Sequence, residues 1–139
     1  MEIVASTAEE RGRLDDGLVA FNQSVVPFRQ QEPLVRIDLS AKDEDGNLLG
    51  GIIAVAYCWN ILYVDILFVE AAHRGQGIGR RLLVEAEERA RQMGVRLVHL
   101  DTFDWQARGF YESLGYEVFA VLEDCPEGHA RYYLKKLLA

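Results

Sequence analysis

The first part of the chain alternates apolar and polar residues with a helical period. Ser6 and Thr7 each precede a glutamate by three residues, which is the pattern of a capping box at a helix N-terminus. The apolar residues that follow recur at helical spacing: Leu14, Leu18, Phe21 and Val25. We therefore expect a first helix between Thr7 and Pro27, because proline does not continue a helix.

Three strands are predicted next. The segment LVRIDLS at 34–40 alternates apolar with polar residues, which is the period of a strand with one face in water. DEDGN at 43–47 is a turn signal, and LLGGIIAVAYC at 48–58 completes a hairpin. ILYVDILFV at 61–69 is apolar except for Asp65, a pattern typical of a strand covered on both faces.

A second helix is predicted over residues 78–93. Its apolar stripe consists of Ile78, Leu82, Leu83, Ala86, Ala90 and Met93. Two ion pairs between residues four apart, Glu85 with Arg89 and Glu87 with Arg91, are expected on its solvent side.

The last third of the chain predicts a strand, a short helix and two more strands. The first strand is VRLVHLDTF at 95–103, and Asp104 is expected to cap the short helix. YEVFAVL at 116–122 and ARYYLKKLL at 130–138 are the final strands. The order helix, three strands, helix, strand, helix, two strands predicts a single mixed α/β domain over residues 1–139.

Composition and charge restrict the function classes. The 139 residues include 22 acidic and 15 basic ones, and the net charge of −7 disfavours nucleic acid as a partner. No apolar run reaches the ~18 residues of a membrane span, and the acidic residues after Met1 do not fit a signal peptide. Cys58 and Cys125 have no metal-ligand spacing and are expected to be reduced thiols. We expect a soluble, cytoplasmic protein without a metal ion, a nucleic-acid partner or membrane association.

A basic, glycine-rich segment, HRGQGIGRR at 73–81, stands out in this acidic chain. It lies between an apolar strand and an amphipathic helix, where unpaired N–H groups and the helix dipole favour an anion. Alternate glycines would let the backbone approach phosphate oxygens, and the arginines add charge. The alternative is a tight turn with solvated arginines. The segment does not match the dinucleotide fingerprint, because its third glycine comes one residue early. It does not match the P-loop either, because it contains no lysine.

The remaining pattern, Arg-x-x-Gly-x-Gly beginning at Arg74, resembles the acyl-CoA-binding motif of the GNAT superfamily of N-acyltransferases. LFVEAAHRGQGIGRRLLVEAE at 67–87 is similar to the strand, loop and helix of that motif, and QARGFYESLGYE at 106–117 resembles the downstream helix and strand. The resemblance implies a GNAT-like mixed sheet of antiparallel and parallel strands flanked by helices. It also implies two strands splayed apart at the cofactor site, and acetyl-CoA as cosubstrate.

The resemblance assigns cofactor contacts by position. The main chain at 67–69 would pair with the pantetheine arm, with the Val69 amide facing the thioester carbonyl, and the loop would hold the pyrophosphate. The expected cofactor-binding residues are Leu67, Phe68, Val69, Arg74, Gly75, Gln76, Gly77, Ile78, Gly79, Arg80 and Gln106. Gln106 replaces the asparagine of many members, and its amide is expected either to bind the cofactor or to fix the start of the helix.

Two residues are expected at the chemical step. Tyr111 lies where many members of the superfamily have a tyrosine that protonates the departing thiolate, and the alternative is an aromatic residue of the core. Asp65 lies where several members have an acidic residue, and a carboxylate in an apolar strand requires a partner or a task. It would accept a proton from the substrate ammonium, hold that ammonium, or be structural. Further candidates to line a substrate pocket are Asp101, Asp104, Glu123 and Asp124, and the alternative for each is a solvated surface position.

These residues imply an N-acetyltransferase that passes an acetyl group from acetyl-CoA directly to a primary amine in a ternary complex. The alternative is a regulatory module that binds acyl-CoA without turnover. The C-terminal segment ARYYLKKLL is a candidate for pairing two copies in a homodimer. No residue pattern identifies the acceptor, which is expected to be a small-molecule or peptide amine.

Overall fold

Three helices and six strands follow one another in the computed structural model in the order that the sequence predicts. The structure describes residues 1–138. The elements are α1 (Ala8–Val25), β1 (Leu34–Lys42), β2 (Leu48–Tyr57), β3 (Ile61–Val69), α2 (Ile78–Gln92), β4 (Leu97–Phe103), α3 (Arg108–Ser113), β5 (Glu117–Glu123) and β6 (Ala130–Leu137). A single 3-10 turn, Ala71–His73, separates β3 from the glycine-rich loop.

The six strands form one mixed sheet in the order β1-β2-β3-β4-β6-β5. Only the central pair, β3 with β4, is parallel, and the other neighbours are antiparallel. The predicted α/β mixed sheet is therefore confirmed. The segment 130–138 was a candidate for pairing two copies through a free strand edge. This expectation is wrong, because β6 lies inside the sheet and is already paired with β4 and β5.

The hydrophobic core lies between the sheet and α2. The inward side chains of β1, β2 and β3 lie against α2, and those of β4 and β6 belong to the same buried cluster. The largest fully buried side chains include Ile52, Leu62, Leu83, Leu100 and Leu134. Burial of this apolar surface supplies the main favourable term for folding. Both α2 and α3 lie on this face of the sheet, since α3 contributes Tyr111 to the same cluster. We call the opposite face, which includes Ile53 and Tyr63, the outer face.

A β-bulge at Asp65 changes which residues of β3 face the core. Ile53 pairs with Ile66 and Ala54 with Val64, so Asp65 is the extra residue. Before the bulge the even-numbered positions are buried, whereas after it Leu67 and Val69 are the more buried residues. Asp65 lies on the outward side of the strand and is exposed, and the expectation of a carboxylate placed in an apolar environment is wrong.

The first helix begins as the sequence predicts. The Thr7 hydroxyl accepts a hydrogen bond from the Glu10 amide at 3.1 Å, and the Glu10 carboxylate accepts one from the Thr7 amide at 3.3 Å, which is a complete capping box. The apolar residues of α1, however, are not buried against the sheet: Leu14, Leu18, Phe21 and Val25 are all 60% exposed or more.

One of the two ion pairs expected on α2 differs in the structure. Glu87 does not pair with Arg91 in solvent; it is buried, where it accepts hydrogen bonds from the Tyr116 hydroxyl at 2.7 Å and the Lys136 ammonium at 2.8 Å. Arg91 pairs with Glu88 instead. The other expected pair, Glu85 with Arg89, is confirmed at 2.8 Å.

Asp104 does not cap α3, which was the expected role. Its carboxylate accepts a hydrogen bond from the Ala130 amide at 2.9 Å and lies 2.9 Å from a ring nitrogen of His129, so it ties the end of β4 to the start of β6. The helix begins after Ala107 without a side-chain cap. Cys58 and Cys125 are free thiols, as predicted. None of the helices within residues 1–138 is long and apolar enough to cross a lipid bilayer.

Candidate active site

The parallel strands β3 and β4 pair over only part of their length. Pairing runs from Ile61 opposite Leu97 to Val64 opposite Leu100, although β3 continues to Val69 and β4 to Phe103. The two strands therefore separate at their C-terminal ends, immediately after the bulge. The unpaired backbone edges of the two strands line the resulting gap, and this confirms the predicted splay.

The N-terminus of α2 opens toward the same end of the sheet. Gly77 is the N-cap residue with a φ of 81° and has no side chain to satisfy the first amides of the helix. Gly75 also has a left-handed backbone, with a φ of 79°. A Cβ at either position would meet no atom within 4 Å, so the loop presents bare backbone to open space. This geometry suits an anionic group at the helix N-terminus.

A cavity of about 460 Å³, which we call the loop groove, joins the glycine loop to the gap. Its lining includes Leu67 and Val69 of β3, Phe110 and Tyr111 of α3, and most of the loop. The predicted cofactor residues in this lining are Leu67, Val69, Arg74, Gly75, Gly77, Ile78, Gly79 and Arg80. The structure thus brings eight of the eleven predicted residues together around one groove.

Phe68, Gln76 and Gln106 are the three predicted residues outside the loop groove. Phe68 and Gln106 line the neighbouring cavity instead, while Gln76 is exposed and lines neither of the two. Phe68 points the other way from Leu67 and Val69 because side chains alternate along a strand.

Arg74 lies closer to the strands than the motif alone suggests. Its Nε donates a hydrogen bond to the carbonyl oxygen of Val69 at 2.9 Å, and its guanidinium lies 5.4 Å from the centre of the Phe68 ring. Positive charge is thereby fixed at the mouth of the gap, while Arg80 remains exposed on the first turn of α2.

A second cavity of about 580 Å³, the gap cavity, lies between the separated strands. Asp65 and Phe68 line it from β3, Asp101 and Thr102 from β4, and Tyr111 from α3. The loop groove and the gap cavity share five lining residues: Leu67, Val69, Arg74, Ala107 and Tyr111. Ligands bound in the two cavities can therefore contact each other beside Tyr111.

Tyr111 is 7% exposed and packs edge to face against Phe110 and Tyr116. Burial, together with the nearby charge of Asp101, raises the pKa of Tyr111 to about 12. The phenol is consequently protonated at neutral pH. No residue within 1–138 forms a hydrogen bond with its hydroxyl, although the side chain lines both cavities.

The carboxylates near the gap have different surroundings. Asp101 accepts hydrogen bonds from Nε and Nη2 of Arg131, at 2.9 and 2.6 Å, and from the Tyr63 hydroxyl at 2.9 Å. Burial and this hydrogen bond raise the pKa of Tyr63 to about 12. Asp65 forms no ion pair within the described residues. Of the two carboxylates, only Asp65 is available to a cationic ligand.

Gln106 shapes the end of β4. Its side-chain oxygen accepts hydrogen bonds from the Phe103 amide at 2.8 Å and the Thr102 hydroxyl at 3.2 Å. Thr102, which is buried, in turn accepts a bond from the Ala107 amide at 3.4 Å. Of the two roles expected for Gln106, these contacts favour fixing the start of the helix.

Sequence reasoning did not identify Tyr63, Thr102 and Arg131 as residues around the gap. Arg131 reaches Asp101 because β6 lies beside β4, a neighbour that comes some 30 residues later in the chain. No local pattern could indicate this pairing. Within residues 1–138 no group of three or more histidine, cysteine, aspartate and glutamate side chains is arranged to hold a metal ion.

A mixed sheet with one splayed parallel pair beside a glycine-rich helix N-terminus defines a GNAT-like transferase fold. The model of the acetyltransferase (GNAT) domain matches residues 39–118. The chain therefore belongs to the GNAT acetyltransferases.

Known proteins support the family at the level of the whole chain. A blasticidin-S acetyltransferase of Streptomyces morookaense is 39% identical over 113 residues, which are 81% of this chain and 82% of that protein. The crystal structure of an acetyltransferase from Bacillus cereus ATCC 14579 is 33% identical and superposes with a TM-score of 0.92 over 99% of this chain and 98% of that one. An aminoglycoside 6'-N-acetyltransferase solved with coenzyme A shares the fold at 20% identity, with a TM-score of 0.66 over 98% of this chain and 97% of that one.

Proposed function

We propose that this acetyltransferase transfers an acetyl group from acetyl-CoA to a primary amine of a cationic small molecule, by direct attack in a ternary complex. The observation that carries the proposal is the position of Tyr111, which lines both the loop groove and the gap cavity. A donor in the first and an acceptor in the second would have their reacting atoms beside this phenol.

The loop groove fits the donor. The uncapped helix N-terminus at Gly77 and the exposed arginines would hold the pyrophosphate, since both favour negative charge. The unpaired edge of β3 at 67–69 would accept the amides of the pantetheine arm as a neighbouring strand does. Acetyl-CoA supplies an acetyl group already activated as a thioester, so that no acyl-enzyme is required.

The chain's own residues would then align the amine and manage two protons. Asp65, exposed on the bulge, would hold the substrate ammonium at its carboxylate and accept a proton from it directly or through water. The Val69 amide would stabilise the thioester oxygen. As the C–N bond forms, the amine nitrogen would lose its second proton to water. As the C–S bond breaks, Tyr111 Oη would give its proton to the thiolate and then regain one from water. A phenol with a pKa of about 12 remains protonated until that bond breaks.

A cationic small molecule is the acceptor class that we favour. The net charge of −7 attracts cations over a distance, and Asp65 at the gap has no cationic partner of its own within the described residues. The relative from Streptomyces morookaense is named for a small molecule, blasticidin S. A peptide amine is the alternative acceptor. The cytoplasmic location stays a prediction.

The proposal is tested by the release of free coenzyme A from acetyl-CoA in the presence of a panel of small amines and amine-bearing peptides. We expect turnover with at least one small amine, and a loss of about 10² to 10⁴-fold in kcat for Tyr111→Phe. The matched control is Tyr116→Phe, which removes a neighbouring buried hydroxyl that lines neither cavity.

Three outcomes would contradict parts of the proposal. Micromolar binding of acetyl-CoA without release across the panel would favour the regulatory module. Turnover with peptides alone would reject the acceptor class. A loss of less than about tenfold in Tyr111→Phe, with turnover intact, would remove the acid role and leave the family unchanged.

A further inference from the structure

Helix α1 carries an apolar stripe that its own sheet does not cover. Leu14, Leu18, Phe21 and Val25 are 68, 60, 63 and 62% exposed, and no residue of the helix is buried. At about 100° per residue these four side chains fall within a sector of roughly 60°. A narrow, continuous stripe of this kind is typical of a helix that packs against another surface.

The helix is not stable by its own local interactions. Most helical stability in proteins comes from packing an apolar face rather than from helix propensity. Gly12 and Gly17 lower the helix propensity further. The capping box at Thr7 contributes one favourable end, but it does not replace the missing packing. The helical state of α1 therefore requires a surface that covers the stripe.

The outer face of the sheet is partly exposed as well. It carries Ile53, Val55 and Tyr63, which are partly buried, and Ile66 and Phe68, which are about half exposed. A groove of about 360 Å³ runs along it between β1 and β3. Parallel strands such as β3 and β4 are normally covered on both faces, but α2 and α3 both lie on the core side. One chain thus exposes an apolar helix and an apolar sheet face.

The segment after α1 is bonded to the turn between β2 and β3. The indole nitrogen of Trp59, in the turn between β2 and β3, donates a hydrogen bond to the Val26 carbonyl at 2.8 Å. The Arg29 amide bonds the Cys58 carbonyl at 2.9 Å, and the Gln30 side chain bonds the Ala56 carbonyl at 2.8 Å. These contacts fix the end of α1 beside the turn between β2 and β3, and no residue of the helix is buried against the sheet.

We propose that two copies of this chain exchange α1, so that each helix packs its apolar stripe on the outer face of the other copy's sheet. A reciprocal exchange satisfies both unpaired surfaces at once and closes as a twofold dimer. It also leaves β6, the interior strand, outside the interface. Ile66 and Phe68 line the gap cavity as well as the outer face, so that the partner's helix would form a wall beside the active site.

The available area is sufficient for a stable dimer. A standard interface removes about 800 Å² from each partner, and in an exchange each partner contributes one helix stripe and one sheet face. The helix therefore has to supply about 400 Å². Four large apolar side chains that each expose roughly 100 Å² reach this share.

Light scattering of the 139-residue chain tests the dimer. We expect a mass twice the 15.7 kDa of one chain, and a dissociation constant raised at least tenfold in Leu18→Lys, because a charge in the stripe would be buried. The matched control is Ala20→Lys, which adds the same charge on the opposite side of the helix. A monomeric wild type, or a dimer that Leu18→Lys does not weaken, would overturn the proposal.

Cross-linking distinguishes exchange from any other pairing, without relying on the fold of a charged variant. In a Cys58→Ser, Cys125→Ser background, Phe21→Cys chains are mixed with Ile53→Cys chains and treated with a short bis-maleimide. We expect a covalent pair at twice the monomer mass, and much less of it when Ala20→Cys replaces Phe21→Cys. Equal yields from both mixtures would contradict the exchange. So would a cross-link at monomer mass in a chain carrying both Phe21→Cys and Ile53→Cys, since α1 would then cover its own sheet.

Discussion

At the scale of single residues, position along β3 decides which side chains can act on a ligand. Asp65 is exposed on the outward side of β3, and the bulge at this residue turns Leu67 and Val69 toward the loop groove. Asp101, on the facing strand, is neutralised by Arg131. Two carboxylates at the same gap therefore differ in their capacity to bind a cation, and the difference comes from their neighbours.

Asp65→Asn tests this difference. We expect kcat/KM for the amine to fall at least tenfold while the KM for acetyl-CoA is unchanged, because the amide keeps the size of the side chain and removes its charge and basicity. Steady-state release of coenzyme A measures both constants. Asp45→Asn, in the hairpin turn before β2, is the control for the loss of one negative charge. Wild-type values of kcat/KM and KM in Asp65→Asn would show that the carboxylate does not act on the substrate and has a structural role.

At the scale of elements, the junction of β3, the glycine loop and α2 forms the loop groove. Gly75 and Gly77 both adopt positive φ and present backbone to open space, and the first amides of α2 have no side-chain cap. The sequence motif indicated the loop, but the left-handed conformations explain why glycine is needed there.

Gly77→Glu is expected to abolish acetyl-CoA binding measured by calorimetry, because it places a carboxylate where the phosphate groups would lie. Gly46→Glu is a closely matched control: Gly46 has a φ of 83°, compared with 81° for Gly77, and also has no neighbour within 4 Å. Both variants carry the same backbone strain, yet only Gly77 borders the groove. Equal losses in both variants would attribute the effect to strain and withdraw the phosphate site.

The buried contact of Glu87 with Lys136 connects α2 to the C-terminal strand. Glu87 is buried and Lys136 partly so, and removing the lysine leaves the buried carboxylate without its counter-charge. We therefore expect Lys136→Met to lower the free energy of unfolding by about 2 to 4 kcal/mol. The exposed pair of Glu85 with Arg89 is the comparison, and Arg89→Met should cost less than about 1 kcal/mol. Urea denaturation measures both, and similar values for the two variants would show that the buried pair contributes no more than a surface one.

At the scale of the whole molecule, three partly or largely buried tyrosines make the free energy of unfolding depend on pH in the alkaline range. Burial raises the pKa of Tyr63 and Tyr111 to about 12, and burial with the hydrogen bond to Glu87 raises the pKa of Tyr116 further. In the unfolded chain these phenols titrate near pH 10. Above that pH the unfolded state loses protons that the folded state retains, so the stability that is fully present below pH 10 decreases as the pH rises toward 12.

We therefore expect the free energy of unfolding to fall between pH 9 and 11.5, with Tyr111 alone contributing about 2 to 3 kcal/mol to the full loss. Denaturant unfolding at a series of pH values measures the slope. A Tyr111→Phe, Tyr116→Phe variant should show a shallower slope than the wild type, whatever its stability at pH 7. Parallel curves of unfolding free energy against pH for the wild type and the variant would mean that these phenols ionise equally in the folded and unfolded states.

The sequence by itself determined the order of the elements, the capped start of α1 and the glycine loop, because each depends on residues close together in the chain. It also indicated Tyr111 and Asp65 through the resemblance of their surroundings to a family. Only the tertiary structure placed β6 between β4 and β5, exposed Asp65 on a bulge, and buried Glu87 with Lys136. These features depend on contacts between residues far apart in the sequence, where the free energy of packing and of satisfying buried charges decides among arrangements that the local pattern allows equally.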